Sequence, residues 1–569
     1  MKRLWTVLAT AAVCAAALVA CGTPPADLVL TNGKLVTVDS AHPEAEAIAI
    51  TGDRIVAVGT NEEIAAYVGA NTGTIDLEGH LAIPGFIDGH GHYMSLGESK
   101  MMLDLTRARN WDEIVALVAE AARTAEPGAW IAGRGWHQEK WDRTPSPNVE
   151  GFPLHQTLSA VSPDNPVTLE HASGHASFVN AKALELAGIT AETPDPAGGE
   201  IVHDARGNPT GVLKETAQRL VAAAQARADE QRSPDAMEAE QRRMVALAGQ
   251  EALENGVTGF HDAGEPFATI DLFKTMADEG ALPIRLYVMV RRQTNEEMEA
   301  RLDDYRMIGY GNGYLTVRSI KRQLDGALGS YGAWFLEPYT DLPTTTGLTL
   351  EPLDDIERTA EIAIEHGFQL NTHAIGDRAN REMLDLYQRV FEAHPDKTDL
   401  RWRIEHAQHL NPVDIPRFGQ LGVIASMQGI HCTSDGPWVL KRLGPERAEE
   451  GAYVWQKLMA AGAVVTNGTD VPVERIDPIA NFYATVSRRM ADGTVFYPDQ
   501  RMSRMEALRS YTINNAYAAF EEDVKGSLTP GKLADITVLS QDIMTIPEEQ
   551  IPATEVLYTI VGGVVKYRK

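Results

Sequence analysis

Cysteine is almost missing from this chain, with three in 569 residues, at Cys14, Cys21 and Cys432. The first two lie in or beside an uncharged N-terminal stretch, so the folded body keeps Cys432 with no thiol to pair with it. An intramolecular disulfide framework is thereby excluded. A body of about 540 residues buries enough apolar surface to fold without one. Basic charge is also in short supply: 51 Lys and Arg stand against 79 Asp and Glu, for a formal net charge of −28. That balance argues against a nucleic-acid partner and is the ordinary balance of an acidic, soluble surface. No internal repeat or low-complexity tract interrupts the chain. Hydrophobic residues make up 44% and charged residues 23%, a globular composition that fits neither a disordered chain nor a multi-span membrane protein.

What is present begins with a leader. Met1-Lys2-Arg3 is basic and Leu4 to Ala20 carries no charge, the two regions of a secretory signal peptide over residues 1–20. The apolar part is short for a membrane span. Leu18-Val19-Ala20-Cys21-Gly22 is similar to a bacterial lipobox, which implies that Cys21 becomes the lipidated mature N-terminus. Residues 21–26 would then tether an exported body to a membrane surface of the bacterial cell envelope.

Residues 27–80 read as short strands punctuated by Asn32-Gly33, Gly52-Asp53 and Gly59. Residues 521–569 have the same texture, in Ala534 to Leu539 and Val556 to Val565. Neither half is large enough to be stable alone, so the two are expected to pair as one small β-sandwich domain. From 81 to 520, apolar runs of strand length alternate with helical patterns at Trp111 to Ala125, Met237 to Asn255, Asp354 to His366 and Met505 to Ala518. Such alternation predicts an α/β protein with a (β/α)8 TIM-like barrel. An insertion is expected at about 190–235, where Gly198-Gly199 and Gly207-Asn208-Pro209 break the pattern.

The apolar run from Leu81 stops on His90-Gly91-His92. Side chains at i and i+2 share one face of a strand, so both imidazoles reach a common point, as metal ligands must. Two ligands leave a catalytic site incomplete, and further candidates follow apolar runs downstream, where a barrel carries its chemistry. His373 closes Phe368 to Thr372, His406 closes Arg401 to Glu405 with His409 three residues on, and Asp470 closes Ala463 to Thr469. Asp470 is able to serve as both ligand and proton acceptor. Lys321 ends Thr316 to Ile320; a salt-bridge role is the default for such an amine.

These residues, in this order, resemble the amidohydrolase superfamily. More narrowly the chain resembles its YtcJ-like branch, amidohydrolase family 3. Arg134-Gly135-Trp136, His171-Ala172-Ser173-Gly174-His175, Lys321 to Ser330 with Asp325-Gly326, Ser426-Met427-Gln428 with His431, and Gly468 to Pro472 all follow that branch. The resemblance implies a divalent metal centre of one or two ions, zinc first, held by His90, His92, Lys321, His373, His406 and Asp470. In binuclear relatives the lysine is carboxylated and bridges the ions. Here Arg322-Gln323-Leu324 makes a more polar neighbourhood than that family's lysine has. The implied activity is hydrolysis of carbon–nitrogen bonds in amides or cyclic amides, not ordinary peptide bonds, by metal-activated hydroxide with Asp470 carrying the proton. Trp136, His175, Asp325, His409 and His431 are placed by motif where a small-molecule substrate binds.

Two other readings compete. A deaminase of the same superfamily would carry Glu three residues after His373, where this chain has Gly376 with Asp377 next. A non-catalytic binding lipoprotein would tolerate the loss of a ligand, and none is lost. Self-association into a homo-oligomer stays open.

Overall fold

The computed structural model describes residues 23–229 and 232–569. The signal-peptide and lipobox readings, Cys21 included, fall outside the described residues. Among those described, no helix is long and apolar enough to cross a membrane.

Eight parallel strands form the central sheet: β1 Phe86–Gly91, β2 Val257–Glu265, β3 Arg285–Val290, β4 Leu315–Gln323, β5 Gln369–Ala374, β6 Arg403–His406, β7 Ile424–Met427 and β8 Val465–Asn467. They are hydrogen-bonded in numerical order, and a short strand Met307–Gly309 adds antiparallel to β4. All nine residues of β2 are buried, as expected for a parallel strand covered on both faces. The helix Leu353–His366 buries Ile356, Ala360, Ala363 and Ile364, a spacing that lays one stripe against the strands. Gly367, in the left-handed region at φ 68°, ends it and turns the chain into β5.

The sheet closes between β1 and the segment after β8. Asp470 N donates to His90 O and His92 N to Val471 O, each at 2.7 Å. The buried Asn515 amide spans the same seam, donating to Ile87 O at 2.6 Å and Asn467 O at 2.8 Å. This approach requires glycine on both sides. A Cβ at Gly89 would lie 2.4 Å from Asn515 Oδ1, and one at Gly468 would lie 2.4 Å from His90 N.

The run from Leu81 to His92, expected as one strand, is two. Leu81–Pro84 pairs antiparallel with Ile536–Leu539 in a six-stranded sheet, and the barrel begins only at Phe86. The crossing point is Gly85, whose N–H goes to Asp535 O and whose Cβ would collide with Thr258. The six-stranded sheet therefore joins residues from both chain ends. Its apolar residues Leu35, Ala82, Ile536, Val538 and Ile560 share one core with Leu30, Ile48, Ile50 and Ile55 of a four-stranded sheet.

The insertion is larger than the expected 190–235. Between β1 and β2, residues 103–215 build a separate six-stranded mixed sheet that includes Ile131–Trp136, Val167–His171, Ala176–Val179 and Pro209–Glu215. It has its own core of Trp111, Trp136, Leu169, Phe178 and Val212. Ile131–Trp136 pairs in parallel with Val167–His171 around a helical connection, so this region has the βαβ texture of a barrel unit, which periodicity does not separate from the barrel itself. The helix expected over Met505 to Ala518 is two, Arg504–Ser510 and Ile513–Ala518.

Deleting residues 534–569 should strip Leu81–Pro84 of its partner and bare an apolar edge. The expected outcome is loss of the monodisperse species in size-exclusion chromatography; a soluble, well-folded truncation would contradict the interlocked ends.

Candidate metal centre

Every ligand candidate lies at the C-terminal rim of the barrel, where side chains from different strands converge. His90 Nε2 and His92 Nε2 stand 3.6 Å and 3.4 Å from Asp470 Oδ1. Lys321 Nζ is 3.4 Å from His90 Nε2, and His406 Nδ1 is 3.9 Å from Asp470 Oδ2. The His373 ring lies 4.4 Å from that of His406, centre to centre. His90, His406 and Asp470 present ligand atoms within 4.8 Å of one another. All six residues named from the sequence are thus brought to one place.

Backbone conformation does part of the aiming. His406 and Asp470 take φ of 76° and 57°, a left-handed region that costs a non-glycine residue roughly 1–3 kcal/mol. Neighbours on a strand normally face opposite ways, yet Glu405 and His406 both face the site, and the turned backbone at His406 permits it. Glu405 Oε2 accepts from His90 Nδ1 at 2.5 Å, and Gln428 Oε1 accepts from His406 Nδ1 at 2.7 Å. Each contact fixes a tautomer that leaves Nε2 free to ligate. Glu405 was missed in the sequence although it shares the inward period of Arg403. Gln428 lay in a quoted motif without a role.

Charge states suit a cation. Burial, with Lys321 nearby, holds His90 below its ordinary value; burial takes His92 down to about 4 and holds His373 and His406 well below the usual range. These imidazoles are neutral at pH 7. Burial alone would raise Asp470, but its contacts with His92, His90 and His406 outweigh that and hold it well below the carboxylate range. Burial pushes Lys321 down to about 8. His373 Nε2 and Asp470 Oδ1 are buried without a hydrogen-bond partner. Neutral imidazoles and an ionised carboxylate, with orphaned atoms among them, fit a divalent ion such as zinc.

The ligands open into a cavity of about 830 Å³, which His175 and His431 also line. His175 Nδ1 meets Glu215 at 2.8 Å. Burial would lower this imidazole, and Glu215 outweighs that and raises it. His431 lies 6.4 Å from the His406 ring, with Nε2 unpartnered.

Three residues named as substrate contacts are placed otherwise. Asp325 lies 3.4 Å from His373 Nε2, off the cavity lining, and accepts from Ile375 N, Gly376 N and Trp334 N at 2.8–2.9 Å. It ties the chain after β4 to the chain after β5. Trp136 lies off the cavity, donating to Leu169 O at 2.8 Å among Trp141, Phe152 and Phe178. An irregular register at Gly135, φ 106°, turns it away from Arg134, which does face the cavity. His409 is buried between the rings of Phe335 and Tyr453. The inserted sheet also supplies cavity wall through residues the sequence reading gave no role: Arg134, which pairs with Glu170, together with His171 and Glu215.

The signature of the Amidohydrolase family matches residues 73–567. The chain is 30% identical over 547 residues to YtcJ of Bacillus subtilis (strain 168), covering 95% of this chain and 99% of that protein. It is 28% identical over 554 residues to the N-substituted formamide deformylase of Arthrobacter pascens, covering 95% and 98%. The crystal structure of an uncharacterized metal-dependent hydrolase from Pyrococcus horikoshii OT3 superposes with a TM-score of 0.72 at 26% identity, covering 92% of this chain and 99% of that one. Sequence, barrel and ligand set agree, and the chain belongs to the amidohydrolase family, in its YtcJ-like branch, as a metal-dependent hydrolase.

Proposed function

We propose that the protein hydrolyses carbon–nitrogen bonds in small amides or cyclic amides, other than ordinary peptide bonds, using one or two divalent ions, zinc first. The observation that carries this is the ionised Asp470, with one oxygen 3.4 Å and 3.6 Å from two neutral histidines and no hydrogen-bond partner of its own. A divalent ion on His90, His92 and Asp470 would supply Lewis-acid polarisation of the scissile carbonyl and acidify water. Asp470 accepts the proton of the attacking water and returns it to the leaving nitrogen. His175, braced by Glu215, and His431 face the bound substrate from the cavity wall. The similarity to an N-substituted formamide deformylase makes N-substituted formamides the first compounds to assay.

Lys321 supports a second ion on His373 and His406. Its amine, lowered to about 8 by burial, has a sizeable neutral fraction near pH 7.5, and the neutral amine is the form that adds carbon dioxide. Ring deamination is disfavoured because Asp377, the acid nearest the required place, accepts from Leu336 N at 2.8 Å and is turned from the cavity. A purely binding role is disfavoured by the complete ligand set. We further read the two sheets at the chain ends as one β-sandwich domain, and place the body at a bacterial envelope membrane through lipidated Cys21.

Chelation should abolish hydrolysis of an active formamide or amide, and zinc should restore it. Asp470→Asn should lower kcat by about 10²–10⁴ while the protein keeps at least part of its metal. Near-normal turnover in that variant would remove Asp470 from the proton path. Elemental analysis of Lys321→Ala tests the bridge. A fall from two ions per chain to one or fewer is expected, and an unchanged content would contradict a bridging lysine.

A further inference from the structure

Among the described residues, each buried arginine finds either a counter-charge or a backbone carbonyl. Arg285 pairs with Asp535, Arg134 with Glu170 and Arg442 with Asp341. Where a buried arginine lacks a carboxylate it uses backbone carbonyls. Arg403 Nη2 donates to Ala518 O, and Arg488 Nε and Nη1 donate to Phe496 O and Tyr453 O. Arg291, half-buried at the barrel rim, does neither. Among the described residues it forms no ion pair, and its guanidinium makes one hydrogen bond, from Nη2 to Gln323 Oε1 at 2.7 Å. A guanidinium has five N–H donors, so the others have no protein partner, and Arg291 lines the cavity together with His92, Lys321 and Asp470.

The position is built. Arg291 directly follows β3 at the barrel rim, and its backbone N–H is held by Glu265 O at 2.9 Å. Its stem lies across Gly264, where a Cβ would come within 2.5 Å of Arg291 Cβ and 2.8 Å of its Cδ. Gly264 takes φ 123°, so both space and backbone demand glycine there. Glu351, another acid of the cavity wall, is engaged by Arg322 at 3.4 Å.

We propose that Arg291 is a carboxylate-binding subsite. Resting on the hydrolase reading above, this makes the preferred substrates amides that carry a carboxylate near the scissile bond, N-acyl amino acids in chemical class. A planar fork with two free N–H groups on one edge matches a carboxylate. One guanidinium in a cavity that Glu351 and Asp470 also line suits a monoanion better than a doubly charged phosphate. In the reaction, attack of water on the acyl carbon and departure of the C–N electron pair with nitrogen, which takes up a proton, would release the acyl acid and the amino acid.

The test is calorimetric binding to the zinc-loaded protein. The probes are N-methanesulfonyl-alanine and N-methanesulfonyl-phenylalanine, which resist hydrolysis, each beside its C-terminal amide. The acid should bind about tenfold or more tightly than the amide, the scale of one charge-assisted contact. Arg291→Gln should bring the ratio close to one, and Arg291→Lys should keep part of it. Zinc content measured alongside reports an intact centre. Equal binding of acid and amide by the unmodified protein, or an unchanged ratio in Arg291→Gln, overturns the subsite. Turnover of the matching N-acetyl pairs separates the two claims: a binding preference without any hydrolysis would leave the subsite standing and overturn the hydrolase reading.

Discussion

The seam where the barrel closes is the constraint on which the rest depends. Parallel strands leave the sheet through long connections, so His90 and Asp470, far apart in sequence, meet only if β1 and the segment after β8 are held edge to edge. Two backbone hydrogen bonds do this, each made by a ligand or its immediate neighbour. Asp88 adds a side-chain tie, accepting from Thr469 Oγ1 at 2.5 Å, Thr469 N at 3.0 Å and His90 N at 3.2 Å. Burial raises this carboxyl to about 7, a cost that its three hydrogen bonds from the seam partly offset. Gly89 and Gly468 leave no side chain between the two edges, and the seam closes tightly enough for three ligands to share one point.

A second layer of residues turns proximity into a usable site. Left-handed backbone at His406 and Asp470 aims two ligands that a regular strand would point elsewhere. Such strain persists only where the surroundings over-determine it, and here Gln428 and the seam hydrogen bonds supply that restraint. Glu405 and Gln428 then select which ring nitrogen remains free. Asp325 performs the same service one step further out, bracing the chain around His373. The inserted sheet, attached between β1 and β2, supplies the cavity wall opposite, so that ligands come from the barrel and much of the substrate-facing surface from the insertion.

Much of the barrel was legible in the sequence because its cues are local. The helix before His373 shows its stripe in Ile356, Ala360 and Ala363, and the apolar runs ending on His373, His406 and Asp470 carry their own end signals. What was not legible depends on partners. Leu81–Pro84 and Phe86–Gly91 form one apolar run, and only pairing with Ile536–Leu539 shows that Gly85 divides them. Residues 103–215 have the alternation of barrel units, and nothing local says that these strands pair with one another. Trp136 was placed by its motif, and a motif does not show that one irregular residue, Gly135, turns the side chain off the cavity. Glu405 carries no local cue that it faces the site with His406, because regular strand alternation would put the two opposite, and the φ of His406 breaks that alternation.

The most direct test of the assembled centre is an anomalous difference map recorded at the zinc edge from crystals of the zinc-loaded protein. The account predicts a peak among His90, His92 and Asp470, at the coordination distances of nitrogen and oxygen ligands, about 2.0–2.2 Å. A peak bound elsewhere on the chain, with these three side chains left uncoordinated, would contradict it.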